Sequence, residues 1–490
     1  MTKSVDLLLV RPNDKKNIYG QLAESVSAIE PPLWAALIAA YVREKGYSAA
    51  ICDTEAENMS PEDSAAAVIT HDPMLVCVVV TGSHLSASTW KMHGAGLLIR
   101  AIREKAPGTK VMLWGLHPSA LPEQTLLEEN VDFVCQGEGF YTITGLLKCL
   151  KSGGTVTDYN IPGLWLRKEN GVTGNPSAPL VQNLDDLPMA AWDLLPMEKY
   201  RAHNWHCFHN LSERQPYAVI YTSLGCPFSC SFCALKSLFG SPGVRFRSPE
   251  KVVEEIEFLV KNYSIKNIKI LDECFVLKPG HVLNICNRII DKGFDLNMWA
   301  YARINTINEK LLYTMKRAGI KWLCYGIESG SEKILNGVSK GGYDREKVKK
   351  VIEMTRSAGI NVVGNFMFGL PDDDLETMRD TLNLAKELNC EYTNFYCTMA
   401  HPGSQLYDDA VRNGVRLPDS WLGYSQYSEE TLPLPTGCLP GEEVLRFRDQ
   451  AFREFHASHG YLEMVEQKFG RQVVEHIKEA LSKEIKRKYT

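Results

Sequence analysis

Two long series of alternating strand-like and helix-like stretches restrict this chain to folds built on parallel sheets. In the first series, buried apolar runs such as Met74 to Thr81 alternate with amphipathic stretches such as Pro32 to Lys45. A strand, a helix and a further strand in succession favour parallel pairing through right-handed crossovers. Residues 1–150 are therefore predicted to form a Rossmann-like, doubly wound parallel sheet of about five strands.

The second series runs from Ala218 to about Met399 and contains six strand–helix units. Several of its helical stretches end at a glycine, a common helix stop. Six units predict a partial (β/α)6 barrel whose chemistry lies at the carboxyl ends of the strands. The predicted division is an α/β chain with a first domain at 1–150, an irregular linker at 151–217, the barrel at 218–403 and a mostly helical region at 404–490.

Charge and cysteine usage narrow the class of protein. The chain has 54 Lys and Arg residues and 59 Asp and Glu residues. It therefore lacks the excess of positive charge that nucleic-acid binding proteins usually have, and we do not expect it to bind nucleic acid. We see no export signal and no apolar run of the ~18 residues that a membrane helix needs, so we expect no membrane partner. The 14 cysteines are scattered over the chain, which favours a reducing, cytoplasmic location.

Polar and glycine residues follow four predicted strands of the first domain. Ligands of doubly wound sheets bind beyond the carboxyl ends of the strands, and glycines let a backbone approach a large flat ligand closely. A role in tight turns would explain each group by itself, whereas four such groups at one edge of the sheet favour a ligand-binding site. We call this edge of the sheet the ligand edge. The candidate residues are Pro12, Asn13, Thr81, Gly82, Ser83, His84, Gly115, His117, Pro118, Gly137, Glu138 and Gly139.

Three cysteines directly after the first barrel strand form the strongest motif. Cys226, Cys230 and Cys233 are separated by three residues and then by two. Thiolates this close together select zinc or an iron–sulfur cluster. A structural zinc normally has four protein ligands, and no fourth Cys or His follows at a short spacing. Three ligands leave one position of a metal centre open for chemistry.

A second group of possible ligands lies in the linker. His203, His206, Cys207 and His209 are close in sequence, but their spacing matches no strong zinc pattern. We therefore do not predict a metal site there.

The triad, with the aromatic Phe232 before its last cysteine, resembles the radical S-adenosylmethionine (SAM) superfamily. The resemblance implies a 4Fe-4S cluster on Cys226, Cys230 and Cys233 whose open iron is chelated by the amino and carboxylate groups of SAM. It also implies one-electron cleavage of SAM to a 5'-deoxyadenosyl radical, with the electron supplied by an external donor of flavodoxin or ferredoxin type.

The resemblance extends to residues that end the later barrel strands. Asp272-Glu273 stands where the family contacts the SAM amino group, although the usual form there is glycine-glycine-glutamate. Arg303 is placed for the SAM carboxylate, a task that suits a guanidinium. Glu328 is the candidate for the ribose hydroxyls or the amine. The family's elements near adenine are matched by the stretches that begin at Asn365 and His401. The predicted SAM residues are Phe232, Asp272, Glu273, Arg303, Glu328 and Asn365.

The first domain resembles the cobalamin-binding domain of the cobalamin-dependent radical SAM group. The resemblance implies that the ligand-edge residues hold cobalamin. The aspartate-x-histidine-x-x-glycine motif that supplies a lower ligand to cobalt in many cobalamin proteins is absent after the first strand. We therefore predict that the dimethylbenzimidazole is displaced without a histidine from that loop, and His84 and His117 are as readily ordinary loop residues as neighbours of the corrin.

The favoured function is methyl transfer from methylcobalamin to an unactivated carbon, or a phosphinate phosphorus, of a small molecule. One alternative keeps both cofactors for cyclisation, rearrangement or electron transfer without methyl transfer. Another is a radical SAM enzyme whose first domain is empty or binds only a partner. The third is a non-enzymatic iron–sulfur or metal-binding protein.

Overall fold

The computed structural model describes residues 5–23, 27–82, 84, 88–153, 155, 160–168, 171–240 and 242–490. Among these residues, no helix has the length and apolar character needed to cross a bilayer. The chain forms two parallel-sheet domains followed by helices, as the sequence predicts.

The first domain is a doubly wound sheet. Its strands pair in the order β2-β1-β3-β4-β5, all parallel, so the carboxyl ends of β1, β3, β4 and β5 lie at one edge. It contains strands β1 (Leu7–Arg11), β2 (Ala49–Asp53), β3 (Leu75–Val80), β4 (Val111–Gly115) and β5 (Phe133–Cys135), and helices α1 (Lys15–Tyr19), α2 (Leu33–Glu44), α3 (Pro61–His71), α4 (Lys91–Lys105), α5 (Leu116–Ala120), α6 (Pro122–Glu128) and α7 (Phe140–Lys151).

Part of the predicted irregular linker is regular structure. Strands β6 (Leu164–Lys168) and β7 (Gly171–Gly174) form an antiparallel hairpin that extends the first sheet to seven strands, with β6 antiparallel to β5. The five parallel strands expected within residues 1–150 are present as β1 to β5, and the two additional strands come from the segment that was expected to be irregular. These strands are short, and glycines flank or occupy them, so they leave little periodic signal.

The second domain is a six-stranded parallel sheet curved into a partial barrel, in the order β8-β11-β12-β13-β14-β15. Its strands are β8 (Tyr217–Ile220), β11 (Asn267–Ile270), β12 (Asn297–Ala302), β13 (Ile320–Glu328), β14 (Asn361–Phe368) and β15 (Tyr392–Cys397), with a small antiparallel pair β9 (Ser223–Leu224) and β10 (Arg245–Phe246). Its helices are α8 (Lys236–Phe239), α9 (Pro249–Tyr263), α10 (Pro279–Lys292), α11 (Glu309–Arg317), α12 (Glu332–Gly337), α13 (Arg345–Ser357) and α14 (Leu375–Leu388).

Local capping explains where several barrel helices begin. The side chains of Ser248, Asn308, Asp344 and Asp374 each accept a hydrogen bond from a backbone N–H in the first turn of the helix that follows. Such caps satisfy donors that the helix cannot pair internally. The chain therefore turns back onto the sheet at defined points.

The C-terminal region contains helices α15 (Gln405–Arg412), α16 (Gly441–His456), α17 (His459–Phe469) and α18 (Arg471–Ser482). Between α15 and α16 the chain is largely irregular, with a 3₁₀ turn over Trp421–Tyr424. Helix α16 packs on the outer face of the barrel, where Phe395 lies 5.6 Å from Phe455 and 5.5 Å from Phe368, measured between ring centroids.

Gly115, which ends β4, occupies a position that no other residue can take without strain. Its φ is +146°, and a Cβ atom there would lie 2.1 Å from the carbonyl oxygen of Val80. We expect Gly115→Ala to lower the free energy of unfolding by about 3 kcal/mol or more, because strain and overlap add. Urea denaturation measures the loss. The exposed Gly108, around which a Cβ would meet nothing within 4 Å, is the matched control.

Candidate functional site

The three predicted cluster cysteines lie in the loop between β9 and α8, at the carboxyl end of the barrel. All three are partly buried and none is in a disulfide. Together with Phe228 and Phe239 they line a cavity of about 310 Å³. In the part of the chain that is described, no three Cys, His, Asp or Glu side chains surround the position of a single metal ion. The thiols instead border a space that suits a group of several atoms.

Burial favours the protonated form of two of the three thiols. Burial raises the pKa of Cys226, and it raises the pKa of Cys233 to about 12. Because thiolates are the metal-binding form, cluster assembly must release these protons. The guanidinium of Arg303 lies with its Nη1 3.7 Å from the Sγ of Cys230 and supplies positive charge beside that sulfur.

The two acidic residues after β11 have different surroundings. Asp272 is fully engaged, since its carboxylate accepts hydrogen bonds from the Thr222 N–H at 2.7 Å and from the Thr222 and Ser223 hydroxyls at 2.6 Å each. The Oε2 atom of Glu273, in contrast, is buried without a partner among the described residues. Glu273 is thus the member of the pair with a free oxygen for a cationic ligand group, whereas Asp272 ties the end of β8 to β11.

Burial raises the pKa of Glu273 to about 8. A raised folded-state pKa stabilises the chain below about pH 4.5, and this stability is lost as the pH rises through 8. We therefore expect the free energy of unfolding of Glu273→Gln to rise relative to that of the parent by about 2 to 4 kcal/mol as the pH increases from 5 to 8.5. Urea denaturation of the metal-free chain at several pH values measures this difference. Glu123→Gln, at an exposed site, is the control. If the free energy of unfolding depends on pH equally in the parent and in Glu273→Gln, the pKa of Glu273 is not raised by burial.

Arg303 directly follows β12 and is buried at the edge of the triad. Its Nη2 donates to the backbone carbonyls of Lys340 at 2.8 Å and Gly341 at 3.2 Å, and its guanidinium lies 4.0 Å from the centroid of the Phe228 ring. Its Nε is buried without a partner among the described residues. The hydroxyl of Ser231, which also lines the cavity, likewise has no partner in the described part of the chain. These polar atoms beside the thiols fit a cluster that carries a polar chelating ligand.

Glu328 ends β13 and pairs with a lysine that sequence reasoning missed. Its Oε1 lies 3.0 Å from the Nζ of Lys340, and its backbone has a φ of +65°. Burial works against the charge of Lys340, but the neighbouring carboxylate of Glu328 raises its pKa above the ordinary value. The Nζ of Lys340 also lies 5.9 Å from the centroid of the Phe232 ring. No motif marks Lys340, because it is in a loop whose position only the fold defines.

Asn365 lies within a line of polar side chains that crosses three strands. Its Nδ2 donates to the Sγ of Cys324 at 3.0 Å, and its Oδ1 accepts from the Nδ2 of Asn394 at 2.9 Å. Asn365 is partly exposed at this position. Its amide therefore already has partners on both neighbouring strands.

At the ligand edge of the first sheet, glycines bring the chain into tight turns. Gly137 and Gly139 have φ angles of +86° and +88°, and a Cβ on Gly139 would lie 2.7 Å from the Nε1 of Trp114. His117 and Pro118 lie in the short helix α5, so His117 is not the ordinary loop residue that was one of its two expected placements. The Gly115 turn lets this helix start directly at the end of β4, which the sequence pattern did not reveal.

The remaining edge residues differ in their partners. Asn13 donates from Nδ2 to the Met59 carbonyl at 3.0 Å, and Pro12 is buried beside it. Glu138 accepts a hydrogen bond from the Nη2 of Arg245 at 2.6 Å, and this ion pair joins the two domains. It also accepts a hydrogen bond from the Val181 N–H at 2.9 Å. Thr81 and Gly82 are partly exposed, and Ser83 lies outside the described residues.

The ligand edge of the first domain faces the mouth of the barrel. His84 meets Tyr301 of β12 with 5.3 Å between ring centroids, and Trp90 meets His401 with 6.0 Å. We call this contact zone the domain seam. Burial lowers the pKa of His84 to about 4 and that of His117 to about 3, so both rings are neutral at physiological pH.

Three buried polar atoms near the seam have no partner among the described residues, namely Ser88 Oγ, Trp90 Nε1 and His401 Nδ1. Buried polar groups are normally hydrogen-bonded, so such atoms point to a polar ligand or to water. Together with the glycine turns, they fit a large ligand that carries many polar groups. Sequence analysis missed Ser88 and Trp90, although their position shortly after β3 was the available signal.

The histidine-rich stretch of the linker closes the amino-terminal end of the barrel. His206 Nε2 lies 2.9 Å from the Asn297 carbonyl oxygen, and the Sγ of Cys207 lies 3.5 Å from the Oδ1 of Asn267. The Trp205 ring stacks on Tyr392 with centroids 5.9 Å apart. These contacts give the stretch a packing role.

Comparisons with known proteins place both domains in families. Residues 21–147 match the B12 binding domain, and residues 220–385 match the Radical SAM superfamily. An uncharacterized methyltransferase of Pyrococcus horikoshii is 32% identical over 424 residues, which cover 86% of this chain and 87% of that protein.

Two further similarities cover most of the chain. An anaerobic magnesium-protoporphyrin IX monomethyl ester cyclase of Rubrivivax gelatinosus is 26% identical over 93% of this chain and 78% of the cyclase. The solved structure of TsrM, a radical SAM methyltransferase from Kitasatospora setae with cobalamin and a [4Fe-4S] cluster bound, has a TM-score of 0.68 at 18% identity, over 92% of this chain and 89% of TsrM. The likeness to TsrM shows a shared fold.

Proposed function

Because the chain belongs to the cobalamin-dependent radical SAM enzymes, we propose that it is a methyltransferase that acts on a small molecule. The methyl group goes from methylcobalamin to an unactivated carbon, or to a phosphinate phosphorus, of the substrate. One observation carries the proposal: the ligand edge of the first sheet and the mouth of the barrel meet at one seam, where His84 lies 5.3 Å from Tyr301.

The residues present fit the three cofactors of this family. Cys226, Cys230 and Cys233 would hold the 4Fe-4S cluster, and Glu273 and Arg303 would hold the amino and carboxylate groups of SAM. When bound, the cluster and SAM supply a radical that removes a hydrogen atom from the substrate, and methylcobalamin supplies the methyl group. The first-sheet edge from Pro12 to Gly139 would hold the corrin.

The chain's own contribution is to position the reactants and exclude water. The free Glu273 Oε2 gives an ammonium group an acceptor, and the Arg303 guanidinium provides a donor beside the triad. The aromatic rings across the seam, Trp90 and Tyr301 among them, exclude solvent from the space between the domains. We propose an external one-electron donor of flavodoxin or ferredoxin type and a cytoplasmic location.

A second candidate keeps both cofactors without methyl transfer. The cyclase of Rubrivivax gelatinosus is similar over 93% of this chain, a longer stretch than the methyltransferase relative covers. A cyclase would use the same triad and seam, so the two candidates differ in the product and not in the site.

Anaerobic reconstitution with iron, sulfide and cobalamin tests the proposal. We expect absorption bands of both the cluster and the corrin, and formation of 5'-deoxyadenosine after addition of SAM and a reductant. Product mass analysis against candidate metabolites then separates the candidates. A gain of one methyl group together with S-adenosylhomocysteine supports methyl transfer, and a product without a methyl gain supports the cyclase. A chain that binds no corrin contradicts both.

A further inference from the structure

The last residues of the chain, 483–490, run as an extended tail along the irregular segment before α16. We call residues 421–431 of that segment the strap. The Lys488 N–H donates to the Glu429 carbonyl at 2.8 Å, and just before the strap the Tyr489 hydroxyl donates to the Asp419 carboxylate at 3.2 Å. The tail therefore follows the strap over several residues.

Arg487 is the main connection between the tail and the strap. Its side chain is only 4% exposed. It donates to the Gln426 carbonyl at 3.0 Å, to the Ser428 carbonyl at 2.9 Å, to the Thr431 hydroxyl at 2.8 Å, and to the two carboxylate oxygens of Asp449 at 2.8 and 2.9 Å. A planar guanidinium is suited to this fork of contacts, and a lysine is not.

The strap contacts both domains. On the barrel side, the Gln426 amide pairs with the backbone N–H and C=O of Cys397, the last residue of β15. On the first-domain side, the Trp421 ring lies 4.5 Å from His117, and the Ser425 hydroxyl donates to the Ile18 carbonyl at 3.3 Å. The strap therefore bridges the domain seam.

Both first-domain contacts lie next to the ligand edge. His117 is itself an edge residue, and Ile18 belongs to α1, the helix that follows Pro12 and Asn13. Trp421 is partly buried and packs against two hydrophobic clusters, and the buried members of one of these clusters all belong to the first domain. Displacement of the strap would open one side of the seam at the ligand edge.

We propose that Arg487 is a positioning residue that, by holding the strap across the seam, slows the release of bound cobalamin. The inference rests on the proposed function. It requires ordering of residues 483–490, which are in neither a helix nor a strand, and such ordering is unfavourable in entropy unless several contacts offset the loss. Loss of Arg487 would remove a buried donor from the Gln426 carbonyl, and it would leave the Ser428 carbonyl and the Asp449 carboxylate only with the donors that Thr431 and Arg448 provide.

The test measures cobalamin release and amide hydrogen exchange in the full-length holoenzyme. We expect Arg487→Ala to exchange faster over 421–431 and to release cobalamin about tenfold faster or more, followed by corrin absorbance after rapid dilution. Arg487→Lys should fall between parent and Arg487→Ala, because lysine keeps the charge near Asp449 but loses the fork. Arg471→Ala, whose side chain is 81% exposed, should match the parent in both measurements.

A second variant separates placement of the strap from its contact with the ligand edge. Trp421→Ala should speed cobalamin release while amides 425–431 stay protected, and its combination with Arg487→Ala should be less than additive if both act through one contact. The inference would be overturned if the amides of the strap exchange faster in Arg487→Ala while cobalamin is released at the rate of the parent. It would also be overturned if these amides exchange in Arg487→Ala at the rate of the parent. A parent chain that binds no cobalamin would overturn the proposed function as well, and that failure is recognised in the parent alone.

Discussion

Replacement of Cys226, Cys230 or Cys233 by alanine is expected to abolish cluster assembly and all formation of 5'-deoxyadenosine from SAM. Each thiol borders the same cavity, and no other cysteine lines it. When one of the three thiolates is removed, no other cysteine at the cavity can take its place as a ligand of the cluster. Iron and sulfide analysis after anaerobic reconstitution measures the first loss, and chromatography of the SAM cleavage products measures the second.

Cys438→Ala is the matched control because Cys438 is an exposed free cysteine outside the cavity. This variant should keep the iron content and the SAM cleavage rate of the parent. Circular dichroism should show that all four variants are folded. Parental formation of 5'-deoxyadenosine by any of the three triad variants would remove the basis of the radical SAM assignment.

Arg303→Ala is expected to weaken SAM binding about 100-fold or more while the cluster still assembles. The buried guanidinium supplies a charge-assisted donor beside the triad, and loss of such a group costs about 3 kcal/mol. Arg303→Lys should recover only a small part of the lost SAM affinity, because a lysine cannot donate to the carbonyls of Lys340 and Gly341 and at the same time to a ligand carboxylate. Equilibrium dialysis with labelled SAM measures the affinity.

Arg317→Ala, at an exposed position of α11, is the control for Arg303→Ala. Its SAM affinity and iron content should equal those of the parent. Iron analysis distinguishes the two ways in which Arg303→Ala could fail. If the variant loses iron as well as SAM affinity, Arg303 acts mainly through the loop that it holds beside Cys230. Parental SAM affinity would exclude a role for Arg303 in SAM binding.

The order of domains and most strands could be predicted from hydrophobic periodicity. The six strands expected between Ala218 and about Met399 are present as β8 and β11 to β15, which run from Tyr217 to Cys397. Long buried strands appear in the sequence as continuous apolar runs, and their regular alternation with amphipathic helical stretches is a strong signal. The short strands β6 and β7 and the helix α5 gave no comparable signal.

The candidate site could be predicted only in part. Spacing alone identified Cys226, Cys230 and Cys233, since all three lie in one loop. The pair Asp272-Glu273 looks uniform in sequence, yet the Thr222 and Ser223 hydroxyls engage one carboxylate and leave the other with a free oxygen. Which of two adjacent carboxylates is free depends on neighbours about 50 residues away.

The sequence by itself determined the class of fold, the order of the two sheets and the cysteine triad, because each depends on local periodicity or spacing. Only the tertiary structure decided which polar groups lie together at the domain seam. Glu328 with Lys340, Glu138 with Arg245, and Arg487 with the strap are contacts between residues distant in sequence. A buried charge needs a partner at hydrogen-bond distance, and only the folded chain brings such residues together.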